Sequence, residues 1–463
     1  MRNNAAEKLL STARAEGLAL TEDGFAECMD RNDPLQVHRD AFNIPKRRDG
    51  SDHVYLCGQT LGLQHKDVES SVAGALKRWR ELGVLAEFQH PNPWAEVDRL
   101  GRKEIAEIVG AQESEVITMN SYTVNLHLLL IAFYKPKGNR RLVMMGNYAL
   151  PNNVYAVMSQ LEARGLNPAE DLITVCAPKD EDGKDSPAHI PMTEYLSIID
   201  KRGSEIAVIL LSALHFITGQ LVDVQAITKA AHAKGIIVGV DCAHAVGNVP
   251  LKLHEWEVDF ASWCTYRYLN SGPGNLAGAF VHTKHTQVGS ELKTLRGCRG
   301  HEPRDLIDPS YKFEPAEGAA GFQLSNVSVL GMMALLPSVR LIAKVGMDSL
   351  REKSLLLTSY LELLLGELVP PGSIRLLTSV DPSQRGAQLT IRILPNKLSA
   401  SLTPRASYGG ESESDAECME RYLRDVGIIV STCSTDLVFL APVPLYNTFK
   451  DVLLAARAIA ECF

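Results

Sequence analysis

Apolar positions along this chain follow two alternating patterns. Short continuous apolar runs recur up to about residue 330, at 116–119, 142–145, 172–175, 206–211, 235–240, 260–264 and 276–282. Such runs mark strands buried on both faces. Helical spacing fills the gaps, for example at 66–82 (Val68, Val72, Leu76, Trp79), 98–110 and 124–134. Strand–helix alternation predicts a mostly parallel sheet covered by helices, with ligands bound at the carboxyl ends of its strands. Thr123, Asp241 and Arg267 fall at or just beyond such ends. Upstream, the pattern predicts short helices over 5–20 and 21–31 and a strand at 54–56. Around Trp94, two prolines in three residues predict a loop, because proline fixes φ and removes a donor.

Beyond about residue 330 the pattern changes. Helices are predicted over 328–346, 349–368 and 415–425, strands over 388–393, 428–431 and 437–440, and a helix at the end. The result is a smaller α+β domain. Residues 397–416 are polar and read as a flexible insertion, either a lid or an idle loop. The domain expectation is therefore 1–55 as a segment packing with the small domain, 56–330 as a large α/β domain, and 331–463 as the small one.

Composition narrows the class. Hydrophobic residues make up 45% of 463, and the formal net charge is -8. A mildly acidic chain argues against a nucleic-acid partner, which needs a basic face. The nine cysteines form no C-x-x-C pair, and no histidine cluster has zinc spacing along the chain, so reduced thiols and no metal are expected. The polar start and short apolar runs, such as 128–133, suggest no signal peptide and no membrane span. A cytoplasmic protein acting on a small molecule is the expectation.

Two segments carry chemistry. Asp241 ends an apolar strand and is followed by His244. In a pyridoxal enzyme such a carboxylate pairs with the pyridine nitrogen and such a histidine stacks on the ring; alternatively, Asp241 caps the next turn. Ser262-Trp263-Cys264-Thr265-Tyr266-Arg267-Tyr268-Leu269-Asn270-Ser271-Gly272-Pro273-Gly274 is a strand entering a glycine-rich turn, able to approach a phosphate or merely to connect.

These segments resemble the kynureninase family: Asp241-x-Ala243-His244-Ala245-Val246-Gly247-Asn248, Tyr266-x-Tyr268-Leu269-Asn270 and Ala277-Gly278-Ala279-Phe280. Pro93-Trp94, Thr123-Val124-Asn125-Leu126-His127, His215-Phe216-x-Thr218-Gly219-Gln220, Gly300-His301-Glu302, Ser325-Asn326 and Ala441-Pro442-Val443-Pro444-Leu445-Tyr446-Asn447 extend the likeness over roughly residues 50–460. The resemblance implies an aminotransferase-like α/β fold of fold type I with a seven-stranded sheet and a homodimer. It also implies pyridoxal phosphate, and cleavage of kynurenine to anthranilate and alanine. It assigns Thr123 and Tyr266 to the phosphate, Asp241 to the ring nitrogen, and Asn326 to the substrate side.

The departures from the family pattern fall on the site. The cofactor-binding lysine aligns with Arg267. A guanidinium has a pKa above about 12 and serves neither as that amine nor as a base. Leu150 replaces the ring-stacking aromatic, Asn153 an acidic residue, Cys298 a tryptophan, and Phe439 the arginine for the substrate carboxylate. Lys252 and Lys284, the nearest lysines, read as surface residues.

Together these changes lead to an expectation of a repurposed enzyme that needs no cofactor. It would be a cyclase or Diels–Alder-type pericyclase on a largely apolar terpenoid or polyketide, polarised by Arg267, His244, Tyr266 and Asp241. Leu150, Asn153, Cys298, Asn326, Phe439 and Trp94 would line the substrate. Two alternatives stay open: an enzyme using pyridoxal or pyridoxamine phosphate non-covalently, and a non-catalytic pseudoenzyme.

Overall fold

A computed structural model describes residues 4–179, 187–287, 292–302, 312–405 and 412–463. Part of the 397–416 segment lies outside these residues. The chain forms two units, Asp67–Phe216 with Val222–Gly346, and Met1–Lys66 with Ile217–Leu221 and Met347–Phe463.

The larger unit is built on seven strands: β1 (Val116–Met119), β2 (Leu142–Gly146), β3 (Leu172–Val175), β4 (Ile206–Ser212), β5 (Ile237–Asp241), β6 (Phe260–Cys264) and β7 (Ala277–Val281). Their order is β1-β7-β6-β5-β4-β2-β3. β2 to β6 pair in parallel, while β7 runs antiparallel to both its neighbours, β1 and β6. The fold is therefore the mostly parallel α/β architecture that the alternation predicted, with the seven strands that the resemblance implied. Its helices include α1 (Tyr122–Phe133), α2 (Pro151–Glu162), α3 (Met192–Arg202), α4 (Val224–Ala233) and α5 (Val329–Val345).

Every residue of β1, β6 and β7 is buried, which explains why these runs are continuously apolar and not alternating. Packing there leaves no slack. Gly278 pairs with Trp263, and a Cβ on Gly278 would sit 2.2 Å from the indole. Phe133 of α1 stacks on Phe260 of β6 with ring centroids 4.8 Å apart.

The smaller unit carries α6 (Met347–Leu368), α7 (Asp415–Asp425), α8 (Phe449–Ala460) and a sheet in the order β10-β11-β9-β8. Its strands are β8 (Ile374–Leu376), β9 (Leu389–Ile393), β10 (Ser431–Cys433) and β11 (Leu437–Leu440). Leu9, Phe25, Leu357, Tyr360, Leu389, Val438 and Leu453 share its apolar core.

Two expectations need correction. The unit boundary follows Gly346 and not residue 330, because α5 groups with the larger unit. The strand expected at 428–431 is two: Ile428–Ile429 pairs in parallel with Val54–Tyr55, and β10 pairs with β11. Among the described residues no single helix is long and apolar enough to cross a membrane.

Candidate functional site

The carboxyl ends of β4, β5 and β6 bring Ser212, Asp241 and Cys264 together. Asp241 is 4% exposed. Its Oδ1 accepts the Ala243 backbone N–H at 2.8 Å, so it does cap the following turn. Its Oδ2 accepts Asn153 Nδ2 at 2.7 Å and the Ser212 hydroxyl at 3.3 Å. Behind Asn153, the Tyr122 hydroxyl donates to Asn153 Oδ1 at 2.5 Å. Asn153 was expected to line the substrate. It is instead fully buried, with both ends of its amide committed to Asp241 and Tyr122.

His244 follows within the same turn. Both its ring nitrogens are buried without a hydrogen-bond partner. Burial, then the charge of Arg267 and the presence of His215, hold its pKa well below the usual histidine value. It is therefore neutral at neutral pH, with one donor and one acceptor uncommitted. The Phe216 ring lies 6.2 Å away, centroid to centroid.

Arg267 projects from the segment after β6. Its Nη1 donates to Cys264 Sγ at 3.2 Å, and its guanidinium sits 5.4 Å from the Tyr266 ring centroid. Burial opposes its charge. Cys264, Tyr266, Asp241 and Tyr122 outweigh that and hold the guanidinium above its ordinary pKa. Its Nε is buried without a partner. The backbone beneath it is pinned: Asn270 N–H donates to Arg267 O at 3.1 Å, Asn270 Nδ2 to Ser338 Oγ at 2.9 Å, and the Thr265 and Ser271 hydroxyls bond at 2.6 Å. Asn270, Gly272 and Gly274 take positive φ, which accounts for the Asn and Gly in this turn.

Thr123 lies in the first turn of α1, where its Oγ1 accepts from Asn152 Nδ2 at 2.9 Å. Helix starts present free backbone donors and favour anions. Leu150 caps α2 and is half-buried. Trp94 is partly exposed at the start of a short 3-10 turn, and Cys298 and Asn326 are exposed. None of these three bonds to Asp241, His244 or Arg267. Phe439 belongs to the smaller unit, 7% exposed on β11 opposite Thr390 and Ser431. Lys252 pairs with Glu255 at 3.0 Å and Lys284 with Asp259 at 2.9 Å.

Sequence reasoning missed Tyr122, Ser212 and Cys264, which have no local motif. It also missed a spatial cluster, Glu115, His254 and His282, whose ligand atoms lie within 4.8 Å of one another. Hydrogen bonds already engage it. His254 Nδ1 meets Glu115 Oε1 at 2.8 Å, and His282 Nδ1 accepts the Lys284 N–H at 3.1 Å. The two rings stack at 4.7 Å, so their in-plane lone pairs do not converge.

Comparison with known proteins gives the family. The Aminotransferase class-V family matches residues 98–391, and the Kynureninase C-terminal domain matches residues 350–459. Kynureninase of Koribacter versatilis (strain Ellin345) is 40% identical, over 93% of this chain and 95% of its own. The chain belongs to the kynureninase family. Kynureninase 1 of Aspergillus terreus (strain NIH 2624 / FGSC A1156) is 39% identical over 94% of this chain and 92% of its own, and kynureninase of Nematostella vectensis 35% over 96% and 95%.

Solved structures share the kynureninase-family fold at low identity. A C-DES mutant with glycine covalently linked to its PLP cofactor has TM-score 0.68 at 16% identity, covering 88% of this chain and 97% of that one. Cysteine desulfurase from Thermococcus onnurineus NA1 has TM-score 0.66 at 14% identity, covering 88% and 94%.

These findings overturn the expectation of a site without a cofactor, because family and fold both point to pyridoxal phosphate. The residues fit its ring and phosphate. Asp241 keeps acceptor capacity, His244 has two unpaired ring nitrogens, and Thr123 stands at a helix start. The resemblance puts the family's cofactor-binding lysine at the position of Arg267, whose Nη1 donates to Cys264 Sγ.

Proposed function

We propose that this chain is a kynureninase-family protein that holds pyridoxal phosphate, or its amine form, without a covalent bond, and that it does not cleave kynurenine. The observation carrying this reading is Arg267: a half-buried, permanently charged guanidinium on Cys264, at the position where the resemblance puts an amine. Asp241 would hold the ring nitrogen, His244 would cover the ring, and Thr123 and Tyr266 would bind the phosphate. When bound, the cofactor supplies an electron sink for a carbanion. Arg267 orients and neutralises, but it neither donates a proton readily nor accepts one. The resemblance aligns Phe439 with the family's carboxylate-binding arginine, and an apolar residue in that position supports a largely apolar substrate. Titration with pyridoxal phosphate followed by dialysis tests this. The reading expects a saturable absorbance change that dialysis removes. A band that survives dialysis contradicts it.

A second reading is a cyclisation or pericyclic reaction on an apolar substrate, with Arg267 polarising a carbonyl. The unpaired, buried Nε–H of Arg267 favours it. Turnover of such a substrate, abolished by Arg267→Gln, would support it. A homodimer is supported by the exposed apolar row Leu76, Trp79, Val84, Leu85 and Phe88. Sedimentation of wild type against Trp79→Glu checks it.

A further inference from the structure

Arg267 has one side of its guanidinium bonded and the other free. Nη1 donates to Cys264 Sγ at 3.2 Å, while Nε is buried without a partner. We propose that the free Nε–Nη2 edge of Arg267 binds a carboxylate of the substrate, so that anion recognition lies at position 267 and not at position 439. This rests on the reading that a small molecule binds beside Arg267, and it names the substrate class: a largely apolar body carrying one carboxylate.

The geometry of the guanidinium supports this. The Nε–H and one Nη2–H point the same way, at a spacing that matches the two oxygens of a carboxylate. Nη1, on the side of Cδ, is the nitrogen that Cys264 engages, and the Tyr266 ring centroid lies 5.4 Å from the guanidinium carbon. The contacts that fix the arginine therefore leave the fork open. Among the described residues, Arg267 makes no hydrogen bond to an oxygen.

Other cations in this chain are treated differently. The buried Arg299, Lys353 and Arg385 each have a carboxylate oxygen within 3.6 Å. Arg351 is half-buried, and its Nη2 donates to the Pro382 and Arg385 carbonyls at 2.8 and 2.6 Å. Arg267 is half-buried with neither kind of partner. Asp241 acts on it through space, but the Asp241 oxygens accept from Asn153, Ser212 and Ala243. His244 is neutral, and burial keeps the protons on Cys264 and Tyr266. A charge withdrawn from water is stable when an opposite charge meets it, and a ligand carboxylate on the fork would supply one. Phe439 cannot, because it aligns with the arginine that grips a carboxylate in the family and carries no charge.

Calorimetry with benzoate and its neutral isostere benzamide tests this on the full chain, with and without pyridoxal phosphate. Wild type, Arg267→Gln and Arg267→Lys are compared. The proposal expects wild type to prefer benzoate about tenfold and Arg267→Gln to lose that preference. Arg267→Lys keeps a charge but not the fork, and should weaken benzoate binding about threefold. Equal affinity for the two probes in wild type under both conditions, no benzoate binding, or a preference that survives Arg267→Gln overturns the proposal. The wild-type comparison decides should neither variant fold.

Inorganic phosphate is the third probe. Arg267-dependent binding of phosphate tighter than that of benzoate would assign the fork to a phosphate and overturn the proposal. Titration with pyridoxal phosphate on the same samples separates the two readings. A benzoate preference without pyridoxal phosphate binding sinks the cofactor reading and leaves the carboxylate site standing. Reversible pyridoxal phosphate binding without a benzoate preference does the reverse.

Discussion

Arg267 Nη1 lies 3.2 Å from Cys264 Sγ, so the guanidinium is tied to the strand it follows. That contact, with the Tyr266 ring and the pinned turn beneath, gives the arginine a fixed address. Substitution at 267 is therefore informative. Arg267→Lys supplies the missing amine, yet it leaves Phe439 where the family has an arginine. Anthranilate release from kynurenine, followed by fluorescence, should stay at background in this variant. Recovery of turnover by the single change would contradict the account.

His244 makes a pH prediction. Its folded pKa is depressed, so the unfolded chain binds a proton that the folded chain refuses. Its contribution to stability is full above about pH 6.5 and shrinks as pH falls below that, by about 1.4 kcal/mol per pH unit. His244→Gln removes this dependence. Urea unfolding at pH 7 and pH 5 should show a shallower loss in the variant. His215, also held below its usual value by burial, keeps its own share in both proteins.

Asp259 adds a second loss of stability at lower pH. Burial acts to raise its pKa, but hydrogen bonds from His232, His285 and Lys284 overcome this and hold it well below the carboxylate range. Its contribution is full above about pH 4 and lost as pH falls further. Asp259→Asn strands two histidines and a lysine, at a cost of about 3–5 kcal/mol near pH 7. Unfolding midpoints should show that gap narrowing below pH 4.

The thiols separate by burial. Cys264 is 4% exposed, and burial raises its pKa despite Arg267, whereas Cys298 is exposed. Iodoacetamide on the native protein should label Cys298 well before Cys264, as peptide mass spectrometry would show. Early labelling of Cys264 would mean the Arg267 contact opens readily.

Much of the larger unit was legible because its strands are buried on both faces, and burial writes itself as apolar runs. Asp241 was legible for the same reason, as the charge that ends such a run. The chain from Tyr122 through Asn153 was not. It joins positions 31 and 88 residues apart, and no local pattern encodes such pairs. The unit boundary was hidden because α5 and α6 are both apolar helices, separated only by Gly346 at φ 83°. Ile217–Leu221 joins the smaller unit through tertiary contacts, such as Gln388 Nε2 to Ile217 O at 3.1 Å, which sequence spacing does not reveal.

The central claim is that Arg267 leaves the cofactor without a covalent anchor. Borohydride reduction of the protein saturated with pyridoxal phosphate, followed by peptide mass spectrometry, tests it most directly. The account predicts that peptides from the Asp241–Arg267 region carry no cofactor adduct and that the reduced cofactor separates on gel filtration. A stoichiometric adduct on one lysine would contradict it.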